Sequence, residues 1–197
     1  MRNIDSAFAS FPVLNIDDEF VLRQFKRSDA KNYFEFYQIP QVNMFVPDIM
    51  IPRNVEDAAF EIEGINQAFS ANQTIYWAIA EKKTDRFIGG CGFHDFVRFN
   101  SRIEIAYDIH PDFWRKGIAF NAIKEVVKFG FMHMALERIQ ATTVESNKAS
   151  INLLLKFGFQ KEGLLRKYKF FKGRMTDILI FGYTKDDFQR DIMLGKF

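Results

Sequence analysis

The sequence predicts a mixed α+β fold built on one central, mostly antiparallel sheet of about seven strands, with about four helices around it. Three observations predict it. Segments that alternate apolar and polar residues recur along the chain, which is the period of a half-buried strand. Two pairs of these segments are separated by short turn-forming links, as antiparallel hairpins are. Between those hairpins, a strand, a long amphipathic run and another strand follow in order, and such a crossover makes its two strands parallel.

The elements can be read in order. Phe20 to Phe25 alternates after the turn-like Asn15 to Glu19, giving the first strand. Ser28 and Asp29 then open a helix, and a second runs from about Asn54 to Ala71. Between them lies the aromatic, proline-containing segment from Tyr37 to Pro52, the least regular part of the chain and a candidate substrate wall. Thr74 to Glu81 and Arg86 to Phe96 form a hairpin across Lys82 to Asp85, its second strand thinned by Gly89, Gly90 and Gly92. Arg102 to Ile109 alternates cleanly. Ile103, Ile105, Tyr107 and Ile109 share one face, expected to be core, and Glu104, Ala106 and Asp108 the other.

After His110 and Pro111 comes a glycine turn and then a helix, in which Ala119, Ala122, Ile123, Val126, Val127 and Gly130 recur at helical spacing. Arg138 to Val144 completes the crossover. Asn147 is placed to cap the next helix, with Ile151, Leu154 and Leu155 as its apolar stripe and Gly158 at a left-handed C-terminal cap. Phe159 to Phe170 and Thr176 to Thr184 close the chain as a hairpin turning at Lys172 and Gly173.

Composition narrows the function classes. The 197 residues suit a single domain spanning 1–197, with 48% hydrophobic and 26% charged residues, so a disordered or fibrous chain is excluded. No window approaches the roughly 18 uninterrupted apolar residues of a membrane helix. The first residues do not follow the pattern of a secretory leader, and a cytoplasmic protein is expected. One cysteine and three scattered histidines build neither an internal disulfide nor a structural zinc site, so no metal is expected. A net charge of +2 argues against direct nucleic-acid binding.

The chemistry begins at Trp114–Ala119. A helix N-terminus exposes backbone N–H groups without intrahelical partners and carries partial positive charge, so it binds phosphate oxygens. Here the donors would be Arg115, Lys116, Gly117, Ile118, Ala119 and Phe120. Gly117 lets the backbone approach a diphosphate, and the small Ala119 leaves room for it. The turn has neither the triple glycine of a dinucleotide fold nor the Gly-Lys-Ser/Thr ending that places magnesium.

The pattern resembles the acetyl-CoA turn of the GNAT superfamily of N-acetyltransferases, which reads Gln or Arg, two residues, Gly, one residue, Gly or Ala. Positions 115–119 fit; Trp114 replaces the first residue, as is typical of the Rim-type branch named for ribosomal-protein N-terminal acetyltransferases. Similarity to that branch extends to Leu22-Arg23, Asp29-Ala30, Ile103 to Tyr107, and Arg138 to Ala141 followed by Asn147, Ser150, Leu154, Gly158-Phe159 and Glu162-Gly163. Together these span about Leu14 to Thr184.

The resemblance implies a GNAT fold whose parallel strands splay apart around the arm of acetyl-CoA, the expected co-substrate. It also implies direct acetyl transfer to a primary amine, with the N-terminus of a ribosomal protein as the leading acceptor, by a monomer or homodimer. A backbone N–H at or near Ile109 would face the acetyl carbonyl, Asn147 would hold the cofactor arm as well as cap its helix, and Ser150 would give a proton to the leaving thiolate. Many family members use instead a tyrosine at the position of Leu154. For the base, Glu104 comes first because it lies on the strand where many members place one; Asp108, His94, His110 or a water relay are rivals. Cys91 reads as a small buried hydrophobe and the phenylalanines at 11, 34, 36, 45 and 60 as core. The basic run Lys161, Arg166, Lys167, Lys169, Lys172 and Arg174 reads as a solvated face, with the cofactor 3′-phosphate, an acidic partner or RNA as other readings. Acetylation of a small amine (an aminoglycoside, polyamine or amino-acid derivative) and non-catalytic sensing of acetyl-CoA are the competing functions.

Overall fold

The computed structural model describes residues 4–197. Eight strands form one sheet: β1 (Leu14–Asn15), β2 (Phe20–Arg23), β3 (Tyr76–Glu81), β4 (Phe87–Val97), β5 (Arg102–Ile109), β6 (Arg138–Val144), β7 (Gln160–Phe171) and β8 (Arg174–Thr184), in the spatial order β1-β2-β3-β4-β5-β6-β8-β7. Every neighbouring pair is antiparallel except β5 and β6. Among the described residues six α-helices surround it: α1 (Ala30–Gln38), α2 (Pro40–Asn43), α3 (Val55–Ser70), α4 (Ile118–His133), α5 (Lys148–Phe157) and α6 (Lys185–Met193). The expected mixed, mainly antiparallel architecture is therefore present. Its additions are the two-residue β1, the single-turn α2 and the polar α6.

Two apolar layers cover the sheet. On one face Trp77, Phe93, Ile103, Ile105 and Phe181 pack against Ile118, Ile123, Val126 and Val127 of α4. On the other, Phe25, Ala78 and Phe87 pack against Tyr33, Phe36 and Tyr37 of α1 and Ala58 and Ile62 of α3. The alternation in β5 places Ile103 and Ile105 in the first layer, with Tyr107 and Ile109 partly buried against it. Two apolar expectations fail. Leu155 and Phe60 face outward, with Phe60 78% exposed, and Phe157 takes the buried place on α5.

Local chemistry sets the element ends. Asn54 caps α3 by accepting from the Asp57 N–H at 2.7 Å. Arg23 and Asp29, two of the residues carrying the resemblance, form a buried bidentate pair at 2.8 Å for both bonds, which ties β2 to the start of α1. The β7–β8 hairpin turns at Lys172 and Gly173, both at positive φ, as a two-residue turn requires.

The feature that matters for function is a gap in the sheet. Parallel pairing of β5 with β6 runs only from Arg102–Arg138 to Glu104–Gln140. Beyond it, β5 stays with β4 as far as Ile109, and β6 stays with β8 as far as Val144. The strands part, and one backbone edge of each is left facing the opening.

Candidate active site

The turn after β5 stands at the mouth of this gap. A 3-10 turn at Pro111–Phe113 is capped by the His110 ring, whose Nδ1 accepts from the Asp112 N–H at 3.2 Å. Trp114 then folds back, and its Nε1 donates to the carbonyl of Ile109 at 2.8 Å, pinning the turn to the end of β5. Arg115 and Gly117 both adopt positive φ, 61° and 81°, and Gly117 is the N-cap of α4. No side chain caps this helix, so the N–H groups of its first turn stay open. A Cβ placed on Gly117 would meet nothing within 4 Å, so the space above the turn is free. Arg115 and Lys116 are exposed beside it, Lys116 with its ammonium over the Phe113 ring.

These properties fit the diphosphate of acetyl-CoA. Bare N–H donors and the positive end of a 16-residue helix face open space, with two exposed cations in the same turn and the split sheet beside it. Ile118, Ala119 and Phe120 form the first turn; Ile118 is buried as an anchor, while Ala119 and Phe120 are partly exposed.

On the α4 and α5 side of the gap, Ser150 and Tyr107 meet. Asn147 caps α5, its Oδ1 accepting from the Ser150 N–H at 3.1 Å. That leaves the Ser150 hydroxyl to engage the Tyr107 hydroxyl, 3.0 Å away across the divergence of the strands. Leu154, at the position of the alternative tyrosine, is buried in the core. Nothing in the sequence pattern singled out Tyr107, because it shares the face of the core isoleucines; its position where the sheet opens is what distinguishes it.

On the opposite face, Glu104 lies at the vertex of the gap, 8% exposed. It accepts from Gln140 Nε2 at 3.0 Å and from the Thr142 hydroxyl, both on β6, and Arg102 steadies Gln140 through its Oε1 at 2.9 Å. His94 Nε2 is 3.9 Å from Glu104, while its Nδ1 faces Asp95 at 3.1 Å. Asp108, four residues further along the same face, accepts from the Tyr37 hydroxyl at 2.7 Å and the Gly90 N–H at 2.8 Å. Loss of water around this partly buried carboxyl pushes it up to about 6, against the two hydrogen bonds, which pull it down. The structure therefore separates the candidate bases: Glu104 and His94 share the vertex, Asp108 sits in a wall with Tyr37, and His110 serves as a cap. Cys91 is fully buried and its thiol is pushed well above its usual range by burial, as expected of a packing residue.

Among the described residues, no group of three or more His, Cys, Asp or Glu side chains is arranged to hold a metal ion, and no helix is long and apolar enough to cross a membrane.

Comparisons with known proteins agree with this geometry. Residues 19–160 match the family model for the acetyltransferase (GNAT) domain. The chain is 35% identical over 175 residues to the uncharacterized N-acetyltransferase YoaA of Bacillus subtilis (strain 168), covering 89% of this chain and 98% of that protein. It is 26% identical over 124 residues to the ribosomal protein uS5-alanine N-acetyltransferase of Escherichia coli (strain K12), covering 62% and 64%. Its fold matches the microcin C7 self-immunity acetyltransferase MccE, solved with acetyl-CoA and AMP, with a TM-score of 0.77 at 22% identity over 86% of this chain and 94% of that one. With the split sheet, the bare helix start and these relatives in agreement, the chain belongs to the GNAT family and is an N-acetyltransferase.

Proposed function

We propose that this enzyme transfers the acetyl group of acetyl-CoA to the N-terminal α-amine of a protein, of the ribosomal-protein type. The observation that carries the mechanism is the placement of two proton-handling groups on opposite faces of β5, at the point where the sheet opens. Glu104 lies on the α1 and α3 face and takes the proton of the attacking amine, directly or through water. Ser150 lies on the α4 and α5 face and gives its proton to the departing thiolate, while Tyr107 positions its hydroxyl. The free backbone edge of β5, from Ile105 to Ile109, supplies N–H groups to the carbonyl oxygen as negative charge builds there. Acetyl-CoA supplies the activated thioester, and Arg115 to Phe120, with Asn147, hold it in place.

An α-amine suits this arrangement. With a pKa near 8 it is roughly one-tenth neutral at pH 7, so a carboxylate acting through water suffices, whereas a lysine near 10.4 is almost wholly protonated. Support for the ribosomal type comes from the uS5-alanine enzyme among the relatives and from Trp114.

One observation favours a second reading, a small amine acceptor. Asp108 lies in a wall of Tyr33, Tyr37 and Tyr76, all three phenols raised in pKa mainly by burial, and an anionic aromatic wall also suits a small cation. The discriminating experiment is CoA release across an acceptor panel. Peptides beginning with Ala or Ser should be turned over with the highest kcat/KM, and mass spectrometry should find the acetyl group on the α-amine. A polyamine or aminoglycoside outrunning every peptide would replace the protein acceptor with a small one. Tight acetyl-CoA binding without CoA release on any acceptor would make the chain a sensor.

A further inference from the structure

A proton that reaches Glu104 must leave it again before the next turnover. The carboxyl is nearly buried, and three polar side chains stand around it: Gln140 and Thr142 from β6, and His94 from β4. The Gln140 amide and the Thr142 hydroxyl donate hydrogen bonds to it, but neither group is a base near neutral pH. An imidazole is. Of these three neighbours, His94 alone can relieve Glu104 of a proton.

The local backbone presents that ring. His94 lies directly opposite Glu104 in the β4–β5 register, so both side chains rise from the same face of the sheet, with Nε2 3.9 Å from the carboxylate. In a regular strand the next residue, Asp95, would point to the other face. Here the register breaks between His94 and Val97, Asp95 takes a φ of 51°, and its carboxylate lies 3.1 Å from His94 Nδ1. Aspartate tolerates this left-handed backbone better than most residues. A carboxylate only accepts, so Nδ1 carries the hydrogen, and Nε2, on the Glu104 side, keeps a free lone pair. The ring is 37% exposed and lines an open cavity of about 730 Å³, bounded also by Ala68, Asn72, Gln73, Thr74 and Arg98. That space opens the ring to solvent and leaves it room for the shift of about 1 Å that closes to hydrogen-bond length with Glu104.

Resting on the reading of Glu104 as the base, we propose that Glu104, His94 and Asp95 act as one relay, which carries the proton of the acceptor amine to the solvent of this cavity. As the amine attacks, its N–H bond breaks and an O–H bond forms on Glu104. That O–H bond then breaks, its electron pair stays on the carboxylate, and an N–H bond forms at His94 Nε2. The imidazolium, steadied by Asp95, gives the same proton to water and returns to its starting tautomer. The gain is in basicity. An α-ammonium near 8 gives its proton to a free carboxylate against a gap of about 3.7 pKa units, but to a free imidazole against one of about 1.5. His94 acts through Glu104, and Asp95 through His94, so both are positioning residues. The remaining charged group lining the cavity is Arg98, which donates to the Asn72 carbonyl; the residues from α3 and the turn after it bring none.

The test follows CoA release by the full-length enzyme between pH 6 and 9, with the best acceptor of the panel above. H94A should lower kcat at pH 7 by about tenfold to a hundredfold, the span set by the difference in basicity, with KM and the Kd of acetyl-CoA unchanged. The deficit should narrow toward pH 9, where an α-amine is already neutral. Added imidazole should restore the rate of H94A, more basic methylimidazoles doing so more strongly, and should do nothing once E104Q is combined with it. H94Q, which fills the space without a base, should match H94A, and D95N, which no longer dictates the tautomer, should lose part of the same rate. Melting curves near that of the parent enzyme establish that the variants are folded. If E104Q is inactive while H94A and H94Q keep full kcat at every pH, Glu104 stands as the base and the relay falls. A deficit in H94A that is equal at pH 7 and 9 and that imidazole does not touch makes His94 a packing residue, and again the relay falls. If E104Q keeps its rate, the reading of Glu104 falls and takes the relay with it.

Discussion

Single side chains divide the proposed reaction between them. Ser150 pairs its hydroxyl with that of Tyr107 while its N–H is taken by Asn147, so the proposed acid stands at the gap. Ser150→Ala is expected to lower kcat by about a hundredfold, the usual size of a lost general acid, while the Kd for acetyl-CoA, read by calorimetry, moves little. Tyr107→Phe should keep the fold and lose part of the same rate; an unchanged kcat in both variants would remove this pair from proton transfer. Asp108 makes a different prediction, because its carboxyl is raised from the ordinary 3.8 to about 6. With the folded value above the unfolded one, its contribution to stability is fully present below about pH 4 and is lost as the pH rises through about 6. Asp108→Asn, whose amide oxygen can accept from the Gly90 N–H while its NH2 donates to the Tyr37 hydroxyl, should therefore raise stability at pH 7.5 by on the order of 1 kcal/mol and give no gain near pH 4. Thermal melts at the two pH values read this directly, and an equal shift at both would show that ionisation is not the cause. At this scale the sequence spoke unevenly. Asn147 stands out because capping is local, whereas Ser150 is singled out only through the family resemblance. Tyr107 does not stand out, since its role depends on where two distant strands part.

Among the elements, the ends are written in short-range chemistry and the partings are not. Asn54, Asn147 and the Lys172–Gly173 turn all behave as their residue types dictate. The Arg23–Asp29 pair shows what one spaced motif does physically: a bidentate bond at 2.8 Å, with both residues almost wholly buried, fixes the entry of α1 and hence the wall that carries Tyr33 and Tyr37. Asp29→Ala would leave the guanidinium buried with only the exposed Asp85 as acidic partner, and should cost about 3 kcal/mol or more in chemical denaturation. A cost below about 1 kcal/mol would mean that Asp85 alone suffices for Arg23. The polar α6 was not legible because Lys185 to Met193 offers few apolar residues to a periodicity search. It is held instead by the Thr184–Asp187 capping box and by Asp191, whose carboxylate accepts from Tyr183 at 2.8 Å. The two-residue β1 is too short to alternate at all.

For the molecule as a whole, the fold class follows from hairpins at both ends and one crossover between them, and each of these has a local signature. The split between β5 and β6 has none. It is a consequence of register, with pairing ending at Glu104 and Gln140, and it was anticipated only through the family resemblance. The central claim is that this split, entered over the bare start of α4, holds acetyl-CoA. Gly117 tests it most directly, because it lies at the helix start and an added side chain there meets no packed neighbour. Titration of acetyl-CoA against Gly117→Trp, with Gly117→Asn as the control for backbone strain, should show affinity lost by at least about a hundredfold in the first and largely kept in the second, since asparagine tolerates this backbone and adds little bulk. Melting curves would establish that both variants are folded. Undiminished acetyl-CoA affinity in a folded Gly117→Trp protein would contradict the account.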